Sequence, residues 1–335
     1  MENHSLPKLH IAPLFCLLFL TSLVNCQLNY TFYDDSCPSL TKIVRYGVWT
    51  AIANDTRMAA SLLRLHFHDC FVNGCDGSVL LDGGEKNALP NLNSARGFEI
   101  IDSIKSNLEK ACPGVVSCTD VLTLAAREAV YLVRTSTLYL PSIFETGGPY
   151  WSLAFGRRDG LTTSETAANE QLPGPFEPLD NITRKFAAKG LDTKDVVVLS
   201  GGHTLGFAQC GVVKPRLFDF AGSGRPDPSL DASFLQSLQS TCPNRNESNS
   251  NLAPLDASSS KFDNVYYKLL VNSSGLLRSD QALMSDNVTG SMVVGYSKFP
   301  FLFYKDFGAS MVKMAGIGVI TGSNGDVRKN CRVVN

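Results

Sequence analysis

The stretch Arg64-Leu65-His66-Phe67-His68-Asp69-Cys70-Phe71-Val72-Asn73-Gly74-Cys75-Asp76-Gly77-Ser78 holds a denser set of reactive side chains than any other part of the chain. Read as a helix running into a turn, it puts Arg64 and His68 four residues apart on one face, where a fixed cation and an imidazole can share a cavity. That pairing suits proton transfer with stabilisation of developing negative charge, although an ordinary surface pair has the same spacing. His66, two positions from His68, faces about 200° away on a helix and reads as a buried structural histidine. After His68, oxygen donors recur at Asp69, Asp76 and Ser78 around glycines. Two carboxylates, a hydroxyl and nearby carbonyls are what a hard cation such as Ca²⁺ requires, but the spacing is not that of an EF-hand, and an acidic turn remains the alternative.

A second reactive stretch is Leu199-Ser200-Gly201-Gly202-His203-Thr204-Leu205-Gly206. The paired glycines let a planar group approach the backbone, and a lone histidine suits one axial position of a haem better than a zinc site. A haem-ligating imidazole needs an acceptor for its other N–H, and spacing nominates none. A hydrolase reading built on Ser200 or Ser61 fails because neither lies in a G-x-S-x-G elbow.

The rest of the chain sets the context. Among 335 residues, 44% are hydrophobic, and 30 Lys+Arg against 31 Asp+Glu leave a formal net charge of -1 with no basic run to follow a phosphate backbone, so nucleic acid is not an expected partner. Residues 1–26 carry Lys8, the apolar run Ile11–Leu20 and a small, polar end, the pattern of a secretory signal peptide cleaved before Gln27. The run falls short of the roughly 20 residues that span a bilayer, so no membrane association is expected after cleavage. Without the leader, eight of the ten cysteines and three of the five histidines remain. An even cysteine set in an exported chain implies disulfides but not their connectivity. After the leader, six Asn-x-Ser/Thr sequons, at Asn29, Asn54, Asn181, Asn246, Asn272 and Asn287, fit a glycoprotein.

Helical periodicity recurs at Leu40, Ile43, Val44, Val48 and Ile52, at Phe98, Ile101, Ile104 and Leu108, and at Val121, Leu124, Ala125 and Tyr131, while strand-like alternation is scarce. The expected fold class is therefore mainly α, in a single domain over 27–335, with loops at 173–178 and 243–254. Val196-Val197-Val198-Leu199 is β-branched, yet Asp192 offers an N-cap and Gly201-Gly202 an end, so it too reads as a helix.

These segments resemble the secretory plant haem peroxidases (class III). The likeness extends through Gln27–Pro38, Asn93–Phe98, Val116-Ser117-Cys118, Gly156–Asp159, Phe262-Asp263-Asn264, Ser279-Asp280-Gln281 and Asn330–Val334, in the family's order. It implies a haem b held between distal and proximal helical halves, with His203 as the iron ligand and Asp280 as its hydrogen-bonding carboxylate. On the distal side it implies His68 as acid–base, Arg64 as charge stabiliser, Phe67 as a shield, Asn91 as the acceptor for His68 and Glu85 as the carboxylate behind Asn91. Pro175, on a rim that begins at Pro173, is the implied substrate contact.

The same resemblance implies two Ca²⁺ ions: a distal one on Asp69, Val72, Gly74, Asp76 and Ser78, and a proximal one on Thr204, Asp256, Ser259 and Asp263. It implies disulfides Cys37–Cys112, Cys70–Cys75, Cys118–Cys331 and Cys210–Cys242. The implied activity is reduction of hydrogen peroxide coupled to one-electron oxidation of small phenols by a secreted monomer of the apoplast or cell wall. A calcium-binding wall glycoprotein of the same fold that has lost turnover is the alternative.

Three places depart from the family pattern. The stretch between Asp82 and Glu85 is shorter. One residue is missing between Asp256 and Asp263, where Ser259 replaces a usual Thr. Residues Val133 to Thr146 form an insertion without a recognisable site, read here as an intron retained in the gene model.

Overall fold

A computed structural model describes residues 28–132 and 146–335. The leader and residues 133–145 of the insertion lie outside the described residues.

The N-terminal half is built on α1 (Leu40–Asn54), α2 (Met58–Phe71), α3 (Phe98–Ala111) and α4 (Cys118–Tyr131). The expected stripe of α1 is buried at Leu40, Val44, Val48, Ala51 and Ile52, a spacing that turns one helical face inward. Helix α4 is buried on every side and packs against α1, α2 and α3, so it forms the centre of this half. Its first turn is held by Asp159, whose carboxylate accepts from the main-chain N–H groups of Cys118 at 3.0 Å and Thr119 at 2.9 Å. An anion there satisfies donors a helix cannot pair internally and complements its dipole. Asp120, wholly buried in the same turn, pairs with Arg157 at 2.7 Å. Removing one partner of such a buried pair costs about 3–5 kcal/mol, because it strands the other charge.

The remaining helices are α5 (Glu165–Gln171), α6 (Leu179–Ala187), α7 (Thr193–Ser200), α8 (Cys210–Phe218), α9 (Ala232–Thr241), α10 (Val265–Val271), α11 (Arg278–Gln281), α12 (Asn287–Lys298) and α13 (Pro300–Met314). A smaller core around the Cys210–Cys242 bridge, with Val213, Leu217 and Leu238, anchors α8 and α9. Two short strands, β1 (Phe207–Gln209) and β2 (Leu252–Pro254), pair antiparallel with Ala208 opposite Ala253. The strand β2 falls inside the stretch expected to be a loop.

The Val196–Leu199 run is helical in α7. Asp192 and Asp195 form a reciprocal capping box at its start, and that local chemistry outweighs the strand preference of three valines. Its end differs from the expected glycine stop. Gly201 stays right-handed and the chain tightens into a 3₁₀ turn over Gly201–Thr204. Gly201 is required there for space: a Cβ would lie 2.3 Å from the Tyr267 hydroxyl and 2.6 Å from Phe303.

All four disulfides join the pairs the resemblance implies: Cys37–Cys112, Cys70–Cys75, Cys118–Cys331 and Cys210–Cys242. The Cys118–Cys331 bridge ties the start of α4 to the C-terminus across 213 residues.

The expected insertion begins at Val133, but Thr146 at its far end belongs to the folded body. Thr146 is buried, its hydroxyl donates to the Val130 carbonyl at 2.8 Å, and its N–H donates to the Leu132 carbonyl at 3.3 Å.

Candidate active site

Helix α2 presents Arg64, Phe67 and His68, and it packs near the Gly201–Thr204 turn that carries His203. On the α2 side, His68 is buried and its Nδ1 is hydrogen-bonded to Asn91 Oδ1. The tautomer follows from the next contact. Asn91 Nδ2 donates to the Glu85 main-chain carbonyl at 2.7 Å, which fixes Oδ1 as the acceptor facing His68 and places the proton on Nδ1. Nε2 is then the free base. Burial, and next the Arg64 charge, hold this imidazole well below the usual histidine range, against the opposing Asn91 bond.

Arg64 donates to the carbonyls of Pro90 at 2.7 Å and Ser94 at 3.0 Å, so the loop that carries Asn91 also fixes the guanidinium. Burial lowers its pKa to about 10, which leaves it charged at neutral pH. Phe67 lies against Phe71, with ring centroids 4.1 Å apart, and near Phe186 of α6. His66 is buried with its ring against Cys70, and burial pushes its pKa down to about 3, as a neutral structural histidine requires.

One expectation needs correction. Glu85 reaches Asn91 through its main-chain carbonyl, not through its carboxylate. The carboxylate is buried, both of its oxygens lack partners, and burial, with Asp76 adding its charge, raises its pKa to about 8.

On the opposite side, His203 Nδ1 donates to Asp280 Oδ1 at 2.7 Å. Desolvation by the surrounding protein would alone depress the imidazole, but the Asp280 charge and hydrogen bond outweigh it and the net shift is upward. The Asp280 side chain is 2% exposed while that of His203 is 42% exposed, so the ring is gripped from behind and open in front. Tyr266 was not anticipated here: its hydroxyl donates to the same Asp280 oxygen at 3.0 Å. Pro175, half-buried, is tied to this region by the Ser279 N–H, which donates to its carbonyl at 3.0 Å. A haem fits these residues: a single partly exposed imidazole, its other nitrogen engaged by a carboxylate, sits on the turn that packs near α2, the helix carrying Arg64, Phe67 and His68.

The distal turn brings Asp69, Asp76 and Ser78 together. Asp69 Oδ2 accepts from Gly77 N–H at 3.1 Å and Asp76 Oδ1 from Ser78 N–H at 2.9 Å. Asp69 Oδ1 and Ser78 Oγ are buried without any partner. Burial first, then the charges of Asp76 and Glu85, raise Asp69 well above the carboxylate range, and burial raises Asp76. Orphaned oxygens and mutually repelling carboxylates fit a bound cation. Val72 and Gly74 belong to the same turn, which docks on the C-terminal segment through the Cys75 N–H bond to the Ile317 carbonyl at 2.9 Å. Arg328, fully buried, donates to the Gly77 carbonyl at 2.5 Å and was not anticipated. Gly77, at φ +70°, is the residue that admits it, since a Cβ would lie 2.7 Å from Arg328 Nη2.

The proximal set is brought together in part. The Thr204 hydroxyl lies 2.7 Å from Asp256 Oδ2 and 3.3 Å from Asp263 Oδ1, and burial raises Asp256 to about 6. Ser259 reaches this region with its main-chain carbonyl, which accepts from Gly206 N–H at 2.7 Å. The serine whose hydroxyl meets Asp256 is Ser258, at 3.2 Å. No cluster of three or more His, Cys, Asp or Glu side chains in metal-binding geometry occurs among the described residues, so any cation in either place depends on hydroxyl and carbonyl oxygens as well.

Comparison with known proteins places these residues in context. A family model described as peroxidase matches residues 44–298. The chain is 60% identical to Peroxidase 10 of Arabidopsis thaliana over 313 residues, covering 91% of this chain and 86% of that protein. It is 52% identical to Peroxidase N of Armoracia rusticana over 328 residues, with 96% and 95% covered, and 47% identical to the lignin-forming anionic peroxidase of Nicotiana sylvestris over 331 residues, with 97% of each covered.

Proposed function

Because the chain belongs to the plant haem peroxidase family and is a peroxidase, we propose that His203 is its iron ligand, that Arg64, His68 and Asn91 reduce hydrogen peroxide, and that small phenols donate the electrons. The observation that carries this reading is the pairing of a carboxylate-anchored His203 with a neutral, buried His68 beside an Arg64 that is charged at neutral pH.

Bound haem b supplies a Lewis-acidic iron and one-electron redox chemistry. His68 Nε2 takes the proton from the inner peroxide oxygen and returns it to the outer one, which leaves as water. Asn91 keeps Nδ1 protonated so that Nε2 stays free for both transfers. Arg64, with two donors used on Pro90 and Ser94, has others to stabilise the charge that develops as the O–O bond breaks. Asp280 holds the His203 ring in one orientation and leaves Nε2 for the metal. Overall, one hydrogen peroxide and two phenols become two waters and two phenoxyl radicals, with Pro175 at the donor contact.

Asp69, Asp76 and Ser78, with the Val72 and Gly74 carbonyls, would hold a distal Ca²⁺ that keeps α2 in place behind His68. Thr204, Asp256 and Asp263, with Ser259, would hold a proximal one beside His203. The leader, the disulfides and the sequons support export to the apoplast or wall as a glycoprotein monomer. Five sequon asparagines are exposed and Asn181 is half-buried. No helix among the described residues is long and apolar enough to cross a membrane. Nothing favours the alternative of a wall glycoprotein without turnover.

The test is direct. Purified protein is expected to show a haem Soret band and peroxide-dependent phenol oxidation. His203→Ala is expected to lose the haem, and His68→Ala to keep it while losing peroxide reduction. Haem-free protein from a haem-replete host would overturn the assignment.

A further inference from the structure

Three buried tyrosines run outward from behind His203. Tyr266 stands edge-on to His203, with ring centroids 6.2 Å apart, and its hydroxyl meets Asp280. Tyr267 follows 5.1 Å from Tyr266, and Tyr296 lies 5.3 Å from Tyr267. Their exposures are 1%, 0% and 3%. The Tyr296 hydroxyl donates to Asp306 Oδ2 at 2.8 Å, and that carboxylate pairs at 2.9 Å with Lys194, whose side chain is 47% exposed. An unbroken run of phenol rings therefore leads from the back of the candidate ligand to buried Tyr296, and the Asp306–Lys194 pair carries the connection on to the surface.

Core filling alone does not account for the hydroxyls. Phe262, Phe303 and Phe307 fill the same neighbourhood without them, and a buried hydroxyl must find a partner merely to avoid a penalty. Two of the three partners here are carboxylates. A phenol that loses an electron must shed its proton at once, because its radical cation is a strong acid, and a carboxylate at hydrogen-bond distance receives that proton. Tyr267 differs: its hydroxyl donates to the carbonyls of Val197 at 3.0 Å and Val198 at 3.5 Å, which take no proton. Its ring can only conduct.

We propose that Tyr266, Tyr267 and Tyr296 form an electron relay to a second donor site beneath Lys194 and Asp306, serving phenols attached to carriers too large for the haem cleft. When peroxide reduction leaves an oxidising equivalent in the haem pocket, Tyr266 gives it one electron and gives its own proton to Asp280. Tyr296 then refills Tyr266. One electron crosses the Tyr267 ring, the proton on Asp280 returns to the Tyr266 oxygen, and the Tyr296 proton moves to Asp306. A phenol at the surface supplies one electron to Tyr296 and releases its proton to solvent, while Asp306 returns its own. Two such cycles consume one peroxide.

The relay rests on His203 as the haem ligand, and one set of measurements separates the two. Haem-loaded full-length protein is mixed with peroxide without donor and freeze-quenched for electron paramagnetic resonance. A narrow tyrosyl signal is expected. It is lost in Tyr266→Phe, and lost in Tyr296→Phe, where the radical stops at Tyr266 and is broadened by the nearby iron. Tyr267→Phe keeps the ring and the signal, whereas Tyr267→Leu loses it. Oxidation of a dextran-tethered phenol is lost in Tyr296→Phe while oxidation of the free phenol is unchanged. Free-phenol turnover with no tyrosyl signal, a narrow signal that persists in Tyr296→Phe, or undiminished oxidation of the tethered phenol in that variant would each overturn the relay alone. Failure to bind haem through His203 would overturn both.

Discussion

His203 Nδ1 and Asp280 Oδ1 meet at 2.7 Å across 77 residues of sequence, and Tyr266 donates to the same oxygen at 3.0 Å. Asp280 Oδ2 accepts from the Leu277 N–H at 3.3 Å, so the carboxylate is pinned on both sides and cannot turn away from the imidazole. Its negative charge is thereby partly shared, and the electron density reaching His203 is set by how much Tyr266 withdraws.

Asp280→Asn keeps the shape and removes the charge. It is expected to raise the ferric/ferrous potential and to cost about 10–100-fold in haem affinity or peroxidase activity, the usual effect of losing an outer partner of a ligating histidine. Tyr266→Phe, which leaves Asp280 wholly to His203, is expected to shift the potential the other way. Spectroelectrochemistry of the two variants checks the pair, and shifts of the same sign would count against the arrangement.

His68→Ala is expected to slow the reaction with peroxide by about 10²–10⁴-fold, the range for loss of a general acid–base group. Asn91→Ala removes the contact that selects the tautomer, together with the Asn91 bond to the Glu85 carbonyl, but leaves the imidazole and is expected to cost less. Because both act through one imidazole, the double variant should be no slower than His68→Ala. Stopped-flow absorbance at the Soret band measures all three, and additive losses would show that Asn91 acts elsewhere.

The pH dependence follows from the sign of the His68 shift. Its folded pKa lies well below 6.5, so Nε2 remains unprotonated, and peroxide reduction remains flat, as pH falls through 6.5. The rate declines only below that, where the imidazole takes up a proton. The same group favours folding above its unfolded pKa and loses that contribution as pH falls toward its folded one. A cation held by the neighbouring Asp69 would push in the same direction. A rate–pH profile with its acid limb at or above 6.5 would contradict the assignment of His68 as the base.

The sequence carried the helices and the two reactive segments, because apolar spacing in α1, α3 and α4 and the crowding of residues 64–78 are local properties. The His203–Asp280 contact was beyond it on spacing alone, and only the family resemblance named Asp280. Arg328 and Tyr266 were missed because nothing near them in sequence marks a buried cation or a shared carboxylate; Arg328 meets Gly77 across 251 residues. Glu85 was assigned the wrong atom for a different reason: side-chain reasoning does not see main-chain carbonyls. The strand β2 is only three residues long, and its partner β1, not its composition, makes it a strand.

Removal of the proposed distal Ca²⁺ is expected to weaken the N-terminal half first. Asp69 Oδ1 and Ser78 Oγ have no protein partner, and the turn's carboxylates repel one another. A ligand at 100 times its Kd stabilises by about 2.7 kcal/mol, and in a domain this large each kcal/mol moves Tm by about 2–4 °C or less. Calorimetry with and without a chelator should show a lower Tm, together with slower peroxide reduction because Asp69 adjoins His68. Ser78→Ala should reduce the chelator effect. An unchanged Tm would mean that the turn is stable as an acidic loop.

Leu132 and Thr146, which flank residues 133–145, meet in the folded body. The Thr146 N–H donates to the Leu132 carbonyl at 3.3 Å, and both the Thr146 hydroxyl, at 2.8 Å, and the Gly148 N–H, at 3.0 Å, reach the Val130 carbonyl. Successive Cα atoms are about 3.8 Å apart, so a Gly-Gly link can close the gap that the segment spans. Loop-closure entropy falls by about 0.6 kcal/mol with each halving of loop length, so cutting the segment to two residues is expected to make the protein more stable by about 1.6 kcal/mol. Its Soret spectrum and peroxide kinetics should match those of the full chain. An insoluble or haem-free product would show that the segment supports the fold, and finding its codons in the mature transcript would rule out the retained intron.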